Sequence, residues 1–253
     1  MAEENCTLCQ DTGWILEEVE ERSVAKRCRC YVQRQNQILF EQANIPRRYR
    51  ECSFENFKPL NATHRDAVKI ANKLVSNYPV QESGLLFQGP CGVGKTHLAV
   101  AIIQDLIWKK NVPCYFYDFR QLMRDLQNSY SSDSPMTESE VLAPVFEMKV
   151  MVLDELGAKR TTPWVEETIF YIINHRYNNK QLTIFTTNYL DGRGEEEPER
   201  EVWSRKKMYE QKQEESLESR IGVRLHSRVH EMCKIVNVEG KDFRKTALQA
   251  SFR

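Results

Sequence analysis

Gly84 to His97 reads GLLFQGPCGVGKTH, and the fold turns on this stretch. The apolar run Leu85-Leu86-Phe87 leads into GPCGVGKT, which satisfies the phosphate-loop pattern G-x-x-x-x-G-K-[ST] at every required position. Gly89, Gly92 and Gly94 allow a tight turn with no side chain between the backbone N–H groups and a phosphate. Those N–H groups form an anion-binding nest, and the helix expected near Lys95 adds the positive end of its dipole. The expected nucleotide contacts are Gly89, Pro90, Cys91, Gly92, Val93, Gly94, Lys95, Thr96 and His97. Lys95 is placed to reach the β- and γ-phosphates and the Thr96 hydroxyl to ligate Mg²⁺. A glycine-rich turn that binds nothing is the competing reading. The flanks weigh against it, because a buried-type strand precedes the loop and LAVAIIQDLI follows as an apolar helix.

Downstream, KVMVLDEL at Lys149–Leu156 is the second chemical landmark. Val150 to Leu153 reads as a buried parallel strand, with the acids where such a strand emerges. Asp154 is the expected Mg²⁺ partner, and Glu155 is suited to polarising a water for attack on the γ-phosphate. QLTIFTTN, Gln181 to Asn188, is another buried-type strand. Asn188 at its end either hydrogen-bonds the γ-phosphate or the attacking water, or caps a turn.

The 253 residues carry 36 Lys+Arg against 36 Asp+Glu, so nothing in the overall charge drives the chain toward nucleic acid. No run of 18 apolar residues spans a membrane, and MAEENCTLCQ lacks the basic start and apolar stretch of a secretory signal. The expectation is a cytoplasmic protein, where clustered cysteines hold metal rather than disulfides. Four of the eight cysteines stand in the first thirty residues, Cys6 and Cys9 as C-x-x-C and Cys28 and Cys30 as C-x-C. Two close pairs of thiolates suit structural, tetrahedral Zn²⁺; four unconnected thiols are the alternative. Asp11-Thr12-Gly13 signals a turn, and Trp14-Ile15-Leu16 with Val24-Ala25 a small hairpin, too short to fold without metal.

The remaining elements follow from periodicity. A polar helix is expected from Tyr31 to about Ala43, with a domain boundary near residue 45 separating a 1–45 zinc segment from a 46–253 core. In IPRRYRECSFENF, Arg47, Arg48, Tyr49 and Arg50 either hold a nucleic-acid backbone or pair with acids of the core. Ala67, Ile70, Ala71, Leu74, Val75 and Tyr78 mark an amphipathic helix, with Thr63 as its expected cap. Pro113–Tyr117 reads as a strand, Phe119–Leu126 as a helix and Ser129–Ser139 as a loop. Thr162-Pro163 opens a helix to about Tyr177. Residues 191–214 read as a solvated charged insertion, Ser216–Arg228 as a basic helix-turn region, and Cys233–Val238 as a final strand before a Gly240 turn.

Together the phosphate loop, LDELG, TTN, RLHSRVHEMC and DFRK resemble the DnaC/DnaI/IstB group of AAA+ ATPases. CxxC…CxC and IPRRYRECSFENF resemble its bacterial helicase-loader branch, and the charged insertion departs from the group's compact connection. The resemblance implies an α/β AAA+ P-loop NTPase core, a parallel sheet flanked by helices, behind a small zinc-binding segment. It implies Lys95 and Thr96 as Walker A, Asp154 and Glu155 as Walker B, and Asn188 as sensor 1. It further implies Arg228 as an arginine finger reaching a neighbour's ATP, against an ordinary surface or ion-paired arginine, and Arg244 as the sensor 2 arginine. ATP, Mg²⁺ and Zn²⁺ are the implied cofactors. A replicative helicase, single-stranded DNA and further copies of the chain in an ATP-dependent oligomer are the implied partners. An IstB-like transposition helper and a non-catalytic zinc adaptor with a nucleotide switch are the alternatives.

Overall fold

In the computed structural model, described for residues 6–19, 22–80, 83–131, 134–158, 162–190 and 216–247, five strands form a wholly parallel sheet. These are β3 (Gly84–Gln88), β4 (Cys114–Asp118), β5 (Val150–Asp154), β6 (Leu182–Thr187) and β7 (Cys233–Asn237), in the spatial order β4-β5-β6-β3-β7. The central strands β3, β5 and β6 are buried at every position because both faces of the sheet are covered. Alternation sends Leu85, Phe87, Val150, Val152 and Ile184 to one face, where α2 (Ala62–Asn77) and α3 (Lys95–Lys110) pack. Leu86, Met151, Leu153 and Phe185 face α4 (Phe119–Ser129), α5 (Glu138–Glu147), α6 (Pro163–Asn178), α7 (Leu217–Ile221) and α8 (Val223–Met232). This is the three-layer α/β arrangement expected of a P-loop core. A short helix, α9 (Phe243–Ala247), closes the described chain. The expected insertion at 191–214 lies outside the described residues.

Ahead of the core, β1 (Trp14–Val19) and β2 (Arg22–Arg27) pair antiparallel from Trp14↔Arg27 to Val19↔Arg22, as the turn chemistry predicts. The described side chains of β2 are all exposed, so this hairpin has no apolar core of its own. The helix α1 (Arg29–Gln42) is tied to α3 by Asn36 Nδ2, which donates to the Trp108 carbonyl at 2.9 Å. Just past α1, the Ala43 carbonyl accepts from the Phe116 amide at 2.8 Å, and Asn44 Nδ2 donates to the Phe116 carbonyl at 3.0 Å. Ala43 and Asn44 therefore cover the open edge of β4, satisfying groups that an exposed edge would leave bare.

Two expectations need correction. Asn61, not Thr63, caps α2: its side chain accepts the His64 amide at 2.9 Å, while Thr63 Oγ1 accepts the Glu239 amide at 3.1 Å. The polar stretch after Ser129 also ends sooner than expected, because α5 starts at Glu138 behind a full Thr137–Glu140 capping box. T-x-x-E was present in the sequence, but interior Pro144 hid the helix that follows it.

Candidate nucleotide site and cysteine cluster

The strand order places the end of β6 between the phosphate loop after β3 and the acids after β5. All three carboxyl ends open onto one cleft, where ligands of parallel sheets bind. Gly94 sits at φ 97° as the N-cap of α3, with the Phe57 ring packed so closely that a Cβ there would collide with it. The loop's glycines are therefore required by a neighbour as well as by the turn.

Lys95 is 6% exposed and its Nζ donates to the carbonyls of Gly89 at 2.8 Å and Pro90 at 2.7 Å, and to Asn188 Oδ1 at 2.8 Å. Burial pulls its ammonium down to about 8. Three neutral acceptors thus hold a cation with no carboxylate in direct contact among the described residues, which leaves its charge for an incoming anion. The Thr96 and Thr186 hydroxyls both donate to Asp154 Oδ1, at 2.8 and 2.5 Å. Burial pushes the Asp154 carboxyl up to about 6 in spite of these bonds. A hard divalent cation held by oxygen donors fits this pair, because it would offset the desolvation of the carboxylate.

Glu155 has φ 58°, a left-handed conformation that costs a non-glycine residue about 1–3 kcal/mol. Its amide donates to Thr186 Oγ1 at 3.0 Å, and the Leu156 amide to the Thr186 carbonyl at 2.8 Å, so β6 imposes the turn. The carboxylate then projects into the cleft and meets Arg120 Nη2 at 3.3 Å.

The cleft encloses about 490 Å³ and is lined by residues from both ends of the described chain. Besides the loop, Glu155 and Asn188, its walls include Arg48, Tyr49, Phe57, His64, Phe243 and Arg244. In the basic run, Arg50 pairs at 3.2 Å with Glu41 of α1 rather than with an acid of the core, whereas Arg48 lines the cleft. Sequence reasoning did not place Arg48, Tyr49, Phe57 or His64 at the nucleotide; the basic-aromatic run was the available signal. His97 also lines the cleft, but its Nε2 is engaged with the Ser53 carbonyl at 2.8 Å and its ring packs edge-on to Phe57. Val93 is buried in the core and Cys91 is exposed.

Arg228 lies outside this cleft, on α8, with its guanidinium over the Phe170 and Tyr177 rings at 4.6 and 5.4 Å. Its Nη1 is buried and has no hydrogen-bond partner among the described residues. Arg244 borders the cleft and its Nε donates to Asp242 Oδ1 at 3.1 Å.

Near the start of the chain, the sulfurs of Cys6, Cys9, Cys28 and Cys30 all lie within 4.8 Å of one another, none in a disulfide. Cys6–Cys28 and Cys9–Cys30 are 3.7 and 3.3 Å apart, close to the roughly 3.8 Å edge of a tetrahedron with Zn–S about 2.3 Å. Amides of Cys9 and Leu8 pull the Cys6 thiol down to about 7, while Cys9 and the other crowded sulfurs push Cys30 up to about 12. Four such thiols cannot all ionise side by side without a cation among them, so the cluster fits zinc. Arg27 locks the hairpin to the helix that carries Cys30, its guanidinium 3.7 Å from the Trp14 ring and 4.2 Å from Tyr31.

Sheet order, loop and acids define a P-loop nucleotide-binding protein of the AAA+ type. The chain belongs to the IstB-like ATP binding protein family, whose model matches residues 1–196. It is 24% identical over 200 residues to the phage-like element PBSX protein XkdC of Bacillus subtilis strain 168, covering 74% of this chain and 73% of that one. It is 28% identical over 159 residues to the replicative helicase loader DnaC of Buchnera aphidicola subsp. Schizaphis graminum, covering 62% of this chain and 63% of the relative, which is under two thirds of either. The crystal structure of the DnaC helicase loader superimposes with a TM-score of 0.61 at 32% identity, over 76% of this chain and 99% of that one. The DnaI structure, at 22% identity and a TM-score of 0.57 over 79% and 94%, shares the fold. No helix among the described residues is long and apolar enough to cross a membrane.

Proposed function

We propose that this chain hydrolyses ATP in the cleft between its phosphate loop and the β5 acids, and uses the cycle to load or remodel a replicative helicase on single-stranded DNA. The observation that carries the hydrolytic part is Glu155, held in a left-handed turn by Thr186 with its carboxylate at the cleft, one residue beyond the Asp154–Thr96 pair. A nucleotide switch that never turned over would have no use for a strained, water-facing acid there. In this reading the loop amides and Lys95 bind the triphosphate, and Asn188 orients Lys95 and the attacking water. Glu155 accepts the proton of that water. Thr96 and Asp154 hold Mg²⁺, which supplies charge neutralisation at the phosphates.

Arg228, with its unsatisfied buried nitrogen, completes the site of a neighbouring copy, which makes turnover depend on assembly. Residues 1–45 form a zinc-held unit that contacts the helicase, and 46–253 form the ATPase domain. The helicase partner is supported by the names of the DnaC relatives. Exposed Tyr130, packed edge-on to Trp164 at 6.1 Å, offers an aromatic face on which a base of single-stranded DNA would stack. A transposition helper is the second reading: the IstB-like match begins at residue 1 and includes the cysteines, which therefore do not separate the two roles.

Glu155→Gln tests the hydrolytic part. It should lower ATP turnover by about 10²-fold or more while leaving ATP affinity within about threefold. Turnover equal to wild type would overturn the role of Glu155. Co-purification with the replicative helicase, lost on deleting residues 1–45, tests the partner, and failure of the full chain to bind helicase would remove it.

A further inference from the structure

After β7 the chain does not leave the molecule; it crosses the mouth of the phosphate loop. The Val238 amide donates to the Gln88 carbonyl at 2.8 Å, and the Asn61 side chain donates to the Glu239 carbonyl at 2.8 Å. The Phe243 amide then donates to the Gly92 carbonyl, inside the loop, at 3.0 Å. Gly92 has φ 78°, and a Cβ there would overlap the Asp242 carboxylate. Asp242 therefore rests on the loop backbone itself, a carboxylate set beside the nest that must receive a polyanion. Its Oδ1 accepts both the amide and the Nε of Arg244, each at 3.1 Å. That grip uses one of the five guanidinium donors and leaves both Nη groups for the cleft that Arg244 borders.

We infer that Asp242 is a positioning residue with two coupled effects: it aims Arg244 at the bound nucleotide, and it makes nucleotide affinity conditional on Arg244 being present. This deepens the proposed function and rests on its reading of the cleft as the ATP site. With Arg244 in place the carboxylate is neutralised and the guanidinium faces the phosphates. Without Arg244 an uncompensated negative charge sits against the loop and opposes a triphosphate. The cost of losing Arg244 is then larger than the loss of its own contacts, and part of it disappears once Asp242 is neutral.

The test is a double-mutant cycle on the full chain, with ATP and ADP affinities measured by calorimetry. Arg244→Ala should weaken ATP binding by about tenfold or more, whereas in the Asp242→Asn background the same substitution should cost at most about a third of that factor. Because the extra penalty is electrostatic, the non-additivity should be larger for ATP than for ADP. It should also shrink as ionic strength rises. Nucleotide-free melting temperatures of all three variants should stay within about 2 °C of wild type, since the Arg244 side chain is exposed and Asn keeps the shape of Asp242 against Gly92. Equal costs of Arg244→Ala in the two backgrounds would overturn the inference while leaving the ATP site intact. A wild-type chain that bound no ATP would overturn the site, and the inference with it.

Discussion

The hairpin and the sheet are both β-structure, and they are held by opposite means. Every described side chain of β2 is solvent-exposed, and what gathers the hairpin is four sulfurs and an arginine between two rings. The central strands β3, β5 and β6 are buried at every position and packed on both faces by apolar helices. Burial is non-directional and distributed over many contacts, so the core tolerates the loss of any one of them. A metal-gathered unit concentrates its stability in four ligands, so it should fail all at once.

The largest effect should come from removing metal. Structural zinc contributes about 10–16 kcal/mol in small zinc-folded peptides. Chelation of the full chain should therefore abolish amide protection in β1 and β2 and leave β3, β5 and β6 slow to exchange. Hairpin amides that stay slow after chelation, in protein shown by metal analysis to be zinc-free, would erase the distinction between the regions.

The core has one site where it resembles the hairpin in its dependence on a few polar bonds. Arg176 is fully buried with no carboxylate partner among the described residues, donating to Val145, Met148 and Leu182 carbonyls and to Thr183 Oγ1 at 2.7–3.0 Å. Burial pulls its guanidinium down to about 9. Arg176→Ala strands those acceptors and should destabilise the core by about 3–5 kcal/mol in urea titration, with the hairpin unaffected. A loss under about 1 kcal/mol would mean that water replaces the guanidinium.

A smaller and reversible effect should appear with pH. The Asp154 carboxyl stands at about 6 against an ordinary 3.8, so the unfolded chain ionises this group first. Nucleotide-free stability should therefore decline as pH rises through that window. Mg²⁺-dependent ATP binding needs the carboxylate and should do the reverse, weakening toward tenfold per unit below pH 6. A flat affinity between pH 5 and 7 would contradict the assignment of Asp154 to the metal. The least consequential contact is the exposed Arg50–Glu41 pair between the linker and α1; Glu41→Gln should change stability by under about 1 kcal/mol.

Much of the chemistry was readable in order along the chain. Phosphate loop, LDEL and TTN each couple a buried apolar strand to a polar residue at its carboxyl end, and that local pattern is enough to identify them. Thr162-Pro163 was readable for the same reason, since the Thr162 hydroxyl does accept the Val165 amide as a cap. Arg48 and Arg50 were not separable, because two similar side chains two residues apart acquire different partners only when α1 and the loop are both in place. Asp242 was invisible as a group facing Gly92, because the two are 150 positions apart.

The sequence by itself singled out the candidate residues: the loop glycines, Lys95, Thr96, Asp154, Glu155, Asn188 and the four clustered cysteines stand out through type and spacing. Only the tertiary structure decided what surrounds them. Phe57 on Gly94, Asp242 on Gly92, Thr186 bent over Glu155 and Arg228 stacked on Phe170 are meetings of segments far apart in sequence. Such pairings follow from the order in which parallel strands assemble, and sequence patterns of period two or 3.6 carry no record of that order.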